Sequence, residues 1–138
     1  MRVVLDTNII ISGLLSEKGQ PGLLLRRWLE GKYELATSKA QLDELVRGLN
    51  YKKIRTRISS VQATDFLGHI DTLAIIVGPI PIIDLSPDPD DNAILATAIK
   101  ANVDLIVSGD KSDLLSLKEV DDIPILTARQ AMERLTNL

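Results

Sequence analysis

Short apolar segments that do not alternate with polar residues recur along the chain, and stretches with helical periodicity separate them. The clearest is VDLIVS at 103–108, and RVVL at 2–5 is another. A strand with one solvated face alternates apolar and polar residues, whereas a strand buried on both faces is apolar throughout. This feature constrains the fold more than any other, because it predicts a sheet that is covered on both sides.

The alternation of such strands with helices predicts a parallel α/β sandwich. The predicted strands are 2–5, 33–37, 80–83, 103–108 and 123–126. The predicted helices are 21–32, 39–50 (with Ser38 as its N-cap), 60–75, 91–102 and 127–136. The segment 79–89 holds four of the six prolines and is too short for a domain linker. We therefore expect one domain, residues 1–138.

The composition excludes several kinds of functional site. With no cysteine and one histidine, His69, the chain cannot form disulfides, iron–sulfur clusters, thiolate zinc sites or two-histidine zinc motifs. Its four aromatic residues are too few for an RNA-binding sheet that stacks bases on rings. The longest apolar run, 73–83, is interrupted by glycine and proline and is too short to span a bilayer. We expect a soluble cytoplasmic protein that does not associate with membranes.

Acidic residues stand where a parallel sheet of this kind binds its ligands. Asp6 closes the first predicted strand, and Asp110 follows the strand at 103–108. In an open parallel sheet, ligands bind beyond the carboxyl ends of the strands. Asp91 stands at the start of a predicted helix, and Glu44 lies in the middle of another, beside its apolar residues.

Each of these acids also has a simpler explanation when it is taken alone. An aspartate after a strand is commonly a turn residue or a helix N-cap, and a glutamate within a helix commonly faces solvent. Several carboxylates that converge on one edge, however, repel one another and raise one another's pKa unless a cation lies between them. Oxygen ligands suit hard cations, so the set predicts a site for Mg²⁺ or Mn²⁺.

Four segments, in this order along the chain, resemble the PIN domain. They are VVLDTNIIISGLL from residue 3, SKAQLDELVRGL from residue 38, DDNAILATA from residue 90 and DLIVSGDKSDLLSL from residue 104. The resemblance implies a three-layer α/β/α sandwich with a central, mostly parallel five-stranded sheet. It also implies a nuclease that uses Mg²⁺ or Mn²⁺ to cut single-stranded RNA. Many small members are toxins of VapBC-type toxin–antitoxin systems, so we expect a small antitoxin protein as a partner, and a homodimer.

The resemblance also implies which residues form the site. The acids that correspond to the catalytic and metal-binding acids of the family are Asp6, Glu44, Asp91 and Asp110. Asn8 corresponds to the polar residue after the first acid, and Ser108 to the hydroxyl residue near the fourth. Residues 88–91 offer three acids where the family needs one, so Asp90 can share the role of Asp91. Asp113 is a further candidate, one residue later than in many members.

A run of positive charge follows Glu44 in the sequence. Residues 47–57 contain five cations and no acid. We expect the cations to bind RNA phosphates and the tyrosine to stack on a base. The residues are Arg47, Tyr51, Lys52, Lys53, Arg55 and Arg57. A solvated helix face, or a contact for an acidic partner, accounts for the same charges equally well.

Two other functions fit parts of the pattern. A catalytically silent PIN-fold module would bind RNA or protein without cleavage, although the presence of all four acids argues against it. A phosphohydrolase of the haloacid dehalogenase type also has an aspartate after its first strand. That class needs a second acid two residues later, where this chain has Asn8.

Overall fold

A six-stranded sheet lies at the centre of the fold in the computed structural model, which describes residues 1–109 and 113–136. The strands are β1 (Arg2–Leu5), β2 (Glu34–Ser38), β3 (Ile75–Val77), β4 (Leu105–Val107), β5 (Glu119–Val120) and β6 (Ile123–Leu126), in the order β3-β2-β1-β4-β6-β5. The pair β5–β6 is antiparallel, and the other neighbouring pairs are parallel. The prediction of a mostly parallel sheet is confirmed, with six strands in place of five.

Eight helices in the described residues connect the strands. They are α1 (Thr7–Leu15), α2 (Gln20–Leu29), α3 (Lys39–Leu49), α4 (Lys52–Arg55), α5 (Ser60–Leu73), α6 (Pro89–Ala101), α7 (Asp113–Leu117) and α8 (Ala128–Thr136). The five predicted helices correspond to α2, α3, α5, α6 and α8, and Ser38 caps α3 as expected. Helix α1 was not predicted, because it follows β1 so closely that both lie in one apolar stretch. Within the described ranges, no helix is long and apolar enough to cross a membrane.

The helices cover both faces of the sheet and so form the expected three layers. Val3 and Leu5 of β1 pack in a cluster with α1, α2, α3, α5 and α8. Val4 packs on the opposite face, in a cluster with α6 and α7. Successive side chains of a strand point to opposite faces, so a continuous apolar strand fills both clusters. Burial of each such side chain stabilises the fold by about 1.5–3 kcal/mol.

The third strand does not lie at 80–83, where the sequence predicted it. It is β3, which directly follows α5 and pairs with β2. None of the described strands includes residues 80–83, and Ile82 is fully exposed. The segment IPII at 80–83 has nearly the same sequence as IPIL at 123–126, which forms β6 although it contains Pro124. The prediction at 80–83 is wrong because it relied on apolar composition, which does not distinguish a strand from an exposed apolar segment.

The sixth strand, β5, was not predicted because its two residues are too few to show a period. It pairs with β6 through a two-residue turn at Asp121 and Asp122. Both turn residues have positive φ, 47° and 64°. Positive φ at both positions matches the twist of a tight hairpin, and aspartate tolerates it better than most residues.

The parallel strands end at one edge of the sheet, which positions the candidate acids. Asp6 directly follows β1, Ser108 directly follows β4, and β2 leads into α3, which carries Glu44. The N–H of Asp6 donates to the carbonyl of Val107 at 2.8 Å, and the N–H of Ser108 donates to the carbonyl of Leu126 at 2.9 Å. These bonds hold the ends of β1, β4 and β6 side by side.

Candidate active site

Asp6 is a buried carboxylate at the end of the central strand. Its side chain is 5% exposed, and the hydroxyl of Ser108 donates to its Oδ2 at 2.8 Å. Burial raises the pKa of Asp6, whereas this hydrogen bond and the nearby N–H groups of Thr7 and Asn8 lower it. Asp6 nevertheless makes no side-chain cap on α1. A buried acid with a raised pKa favours a proton or a cation beside it.

Glu44 faces the same end of β1 from α3. The hydroxyl of Thr7 donates to its Oε1. Burial raises the pKa of Glu44 to about 7, and the charges of Asp90 and Asp6 raise it as well, against the lowering effect of Thr7. The surroundings of Glu44 therefore disfavour its charged form, unless a cation lies beside it.

Gln41 fixes α3 against β1, one turn before Glu44. It is 2% exposed, and its Nε2 donates to the carbonyl of Leu5. The hydroxyl of Thr37 donates to its Oε1 at 2.8 Å. Because a buried amide must satisfy its polar atoms, these two bonds hold α3 in a defined position beside the residue that precedes Asp6.

Asp91 lies in the first turn of α6. The helix begins two residues earlier than predicted, because Asp88 is its N-cap, with an oxygen that accepts from the N–H of Asp90 at 2.9 Å, and Pro89 occupies the first position. The hydroxyl of Ser86 donates to Asp91 Oδ2 at 3.1 Å. Burial raises the pKa of Asp91 to about 6, with further contributions from the charges of Asp6, Asp88 and Asp113.

The structure brings three of the four predicted acids into electrostatic contact. The charge of Asp6 raises the pKa of both Glu44 and Asp91. Across residues 1–109 and 113–136, however, no three acidic or histidine side chains form a cluster that could hold a metal ion. Each of the three carboxylates accepts a hydrogen bond from a neighbouring hydroxyl. The fourth predicted acid, Asp110, lies outside the described residues.

The auxiliary residues occupy different positions around these acids. The sequence related Ser108 to the fourth acid, Asp110, whereas in the structure its hydroxyl contacts the first acid, Asp6. Asn8 is exposed in the first turn of α1. Asp113 begins α7, and its charge acts on Asp91. Asp90 raises the pKa of Glu44, and it forms an ion pair with Arg47, whose Nη2 lies 3.3 Å from Asp90 Oδ1.

The basic run 47–57 is a turn between helices rather than one helix face. Helix α3 ends at Leu49, and the short helix α4 follows it. Ile54 and Ile58 are buried in the core, which anchors the segment. Apart from Arg47, the predicted RNA-binding residues of the segment are exposed, and none of them forms an ion pair with an acid in the part of the chain that the structure describes. They are Tyr51, Lys52, Lys53, Arg55 and Arg57. Arg47 instead forms an ion pair with Asp90, which connects this segment to the acids.

Sequence reasoning missed the hydroxyl and amide groups that orient the acids. Thr7 was detectable, because it directly follows Asp6 in the segment VLDTN. Ser86 was detectable only as part of the turn before α6. Gln41 carried no signal, because a glutamine in an amphipathic helix is commonly exposed.

Comparison with known proteins identifies the family. The sequence profile of the PIN domain matches residues 2–112. An uncharacterized protein of Methanocaldococcus jannaschii is 30% identical over 120 residues, which are 86% of this chain and 76% of that protein. The chain belongs to the PIN domain family, whose members are generally nucleases.

Two solved structures share the fold. The structure of VapBC2 from Rickettsia felis, bound to a DNA fragment from their promoter, matches with a TM-score of 0.58 and 17% identity over 91% of this chain and 97% of that one. The structure of FitAcB from Neisseria gonorrhoeae matches with a TM-score of 0.59 and 16% identity over 92% of this chain and 98% of that one. At these identities the likeness concerns the fold.

Proposed function

We propose that the chain is a metal-dependent endoribonuclease that cleaves single-stranded RNA and is the toxin of a toxin–antitoxin pair. Membership in the PIN domain family supports nuclease activity. The observation that carries the proposal is the position of Asp6 at the carboxyl edge of the sheet, where its charge acts on both Glu44 and Asp91. Carboxylates at this edge are where a parallel α/β sheet binds its ligand.

The donor set fits Mg²⁺ or Mn²⁺ chemically. The candidate ligands are carboxylate oxygens, which these cations prefer. Burial, with a lesser contribution from neighbouring acids, raises the pKa values of Glu44 and Asp91, so a bound cation would favour their charged forms. In the proposal, Asp6, Glu44 and Asp91 hold the cation, together with Asp110, which the sequence resemblance adds. A divalent cation at such a site supplies an activated water and positive charge for the phosphate.

The remaining chemistry belongs to the chain's own residues. Ser108, Thr7 and Ser86 each donate to one carboxylate and thereby fix its orientation. A carboxylate that is unprotonated at neutral pH can accept the proton of the attacking water. No serine–histidine pair is required for this reaction.

The basic segment 47–57 supports a polyanionic substrate. The whole chain has a net charge of −3, so nucleic acid needs a local region of positive charge. The exposed cations from Lys52 to Arg57 form such a region, and it adjoins the acids through the Arg47–Asp90 ion pair. In the proposal these cations bind phosphates on one side of the cleaved bond.

The fold neighbours support the biological role. Both structures are of toxin–antitoxin proteins, so we include a small antitoxin as the partner of this chain. A homodimer and a cytoplasmic location stay predictions from the sequence.

Cleavage of labelled single-stranded RNA tests the proposal directly. We expect the purified chain to cut RNA with Mg²⁺ or Mn²⁺ and to stop in EDTA. Asp6→Asn should abolish cleavage, whereas Asp43→Asn, which removes an exposed carboxylate from α3, should not. RNA binding without cleavage under every metal condition would identify a silent binding module instead.

A further inference from the structure

A cavity of about 440 Å³ lies beside the basic segment, between the end of α3, α4 and the first turns of α5. Leu49 and Ile58 are buried residues of its apolar floor. Polar groups of Asn50, Arg55 and Thr64 stand among its lining residues. Its volume is within the ~300–1,000 Å³ of typical small-ligand sites, and its mixed lining suits a flat, partly polar group.

Charge distinguishes this cavity from a second cavity of similar volume. Arg55 is the charged residue that lines it, and Lys52, Lys53 and Arg57 are close in sequence. The cavity of about 450 Å³ between α1, α2 and α5 is instead lined by Glu17 and Asp65 as well as Arg26. Because its charged lining residue is a cation, the cavity at the end of α3 is better suited to bind a segment of a polyanion.

Glu44 and the residues of α3 that line this cavity lie on different faces of the helix, and the basic segment continues from the C-terminal end of α3. Glu44 and Arg47 are one turn apart on the face that contacts Thr7 and Asp90. Val46, Leu49 and Asn50 line the cavity from another face. Tyr51 follows directly and is 63% exposed. Tyr51 and the lysines therefore stand between Asn50 and Arg55 in the sequence, both of which line the cavity.

We propose that this cavity binds one nucleobase of a single-stranded RNA substrate, a few nucleotides from the cleaved phosphate. The inference rests on the proposed ribonuclease function and extends it. The base packs on the apolar floor, and Arg55 pairs with an adjacent phosphate. Asn50 donates one N–H to the carbonyl of Val46 at 3.0 Å, and its amide has a second N–H and a carbonyl oxygen to offer to a base edge.

Abasic substitution tests the proposal. The probe is a short fluorescein-labelled single-stranded RNA, with a set of derivatives that each lack one base, and affinity is measured in EDTA by fluorescence anisotropy. For the wild-type chain, we expect about a tenfold loss of affinity at one abasic position and smaller losses elsewhere. Equal affinity for every abasic derivative would overturn the subsite.

Two variants connect that loss to the cavity. Thr64→Trp places a large side chain at its rim, and Thr72→Trp is the matched control on the same helix, since both threonines are exposed. We expect Thr64→Trp to bind the intact RNA about as weakly as the wild type binds the critical abasic RNA, with no change for Thr72→Trp. Arg55→Gln should reduce affinity without changing the fold, since Arg55 is exposed.

Failure of the subsite differs from failure of the ribonuclease function. If wild-type chain cleaves RNA but Thr64→Trp binds it like Thr72→Trp, the subsite is wrong and the nuclease stands. If Thr64→Trp loses only inhibition by a protein partner, the cavity binds protein and the subsite is again wrong. If the wild type neither binds nor cleaves RNA, both proposals fail.

Discussion

Removal of the charge of Glu44 should stabilise the metal-free protein at about pH 8. The pKa of this carboxyl is about 7 in the fold and 4.5 in its ordinary state. Between these values the folded protein retains a proton that the unfolded chain has lost. The free energy of unfolding therefore decreases as pH rises through this window, and the loss is complete above pH 7. Glu44→Gln has no such loss, and its side-chain oxygen can still accept from Thr7.

The size of the effect follows from the shift and from the exposure of the side chain. The whole shift corresponds to about 3 kcal/mol. Glu44 is only partly buried, so solvent screening reduces the expected gain to about 1 kcal/mol. At about pH 4 the carboxyl is protonated in both states, and the gain should disappear.

Urea unfolding followed by circular dichroism, in EDTA at both pH values, measures this difference. Asp43→Asn is the control, because Asp43 is the residue before Glu44 on α3, is exposed, and pairs with Lys39 at 3.3 Å. We expect no gain from the control at either pH. A Glu44→Gln variant that is less stable than wild type at pH 8, or equally stabilised at pH 4, would refute the electrostatic explanation.

Four further outcomes can be checked with purified protein. Mg²⁺ at millimolar concentration should raise the melting temperature of the wild type and leave Glu44→Gln less affected, because a cation that binds only the fold stabilises it by mass action; equal shifts would argue against Glu44 as a ligand. Lys52→Ala with Lys53→Ala should weaken RNA binding and reduce the salt slope by about 1.4, which an affinity series in NaCl measures. Gly22→Ala should cost about 1–3 kcal/mol in denaturant unfolding, because its Cβ would lie 2.5 Å from the carbonyl oxygen of Ser16. Gly68→Ala should instead stabilise α5 by up to about 1 kcal/mol, since nothing lies within 4 Å of its Cβ. If Gly22→Ala were the more stable of the two variants, the close packing described at Gly22 would be wrong.

The architecture was predictable because burial on both faces leaves a strong trace in sequence. RVVL at 2–5 and IPIL at 123–126 form strands, as their continuous apolar composition predicts. The segment 80–83 has similar composition, one proline included, but Ile82 is exposed and the segment forms no strand. The two-residue β5 is too short for any periodicity. Local pattern therefore predicted the elements that the core requires and could not distinguish a buried apolar segment from an exposed one.

The candidate site was predictable only up to the identity of its acids. Asp6 and Glu44 stand where strand ends and family segments placed them, and their role as metal ligands stays a prediction. The pairing of Ser108 with Asp6 joins residues 102 positions apart. The pairing of Arg47 with Asp90 depends on how α3 packs on α6. Such contacts follow from packing between elements, which no local pattern reports.

The place of β1 in the sheet sets the order in which the site can form during synthesis. Val3 pairs with Leu105, and Leu5 pairs with Val107. Closing a loop of this length carries a large entropic cost, and folds with such distant pairings form slowly. Until β4 has left the ribosome, Asp6 has neither its neighbouring strand nor the hydroxyl of Ser108. A nascent chain therefore carries Asp6 and Glu44 without a completed site, and any nuclease activity begins only after β4 has emerged and paired with β1.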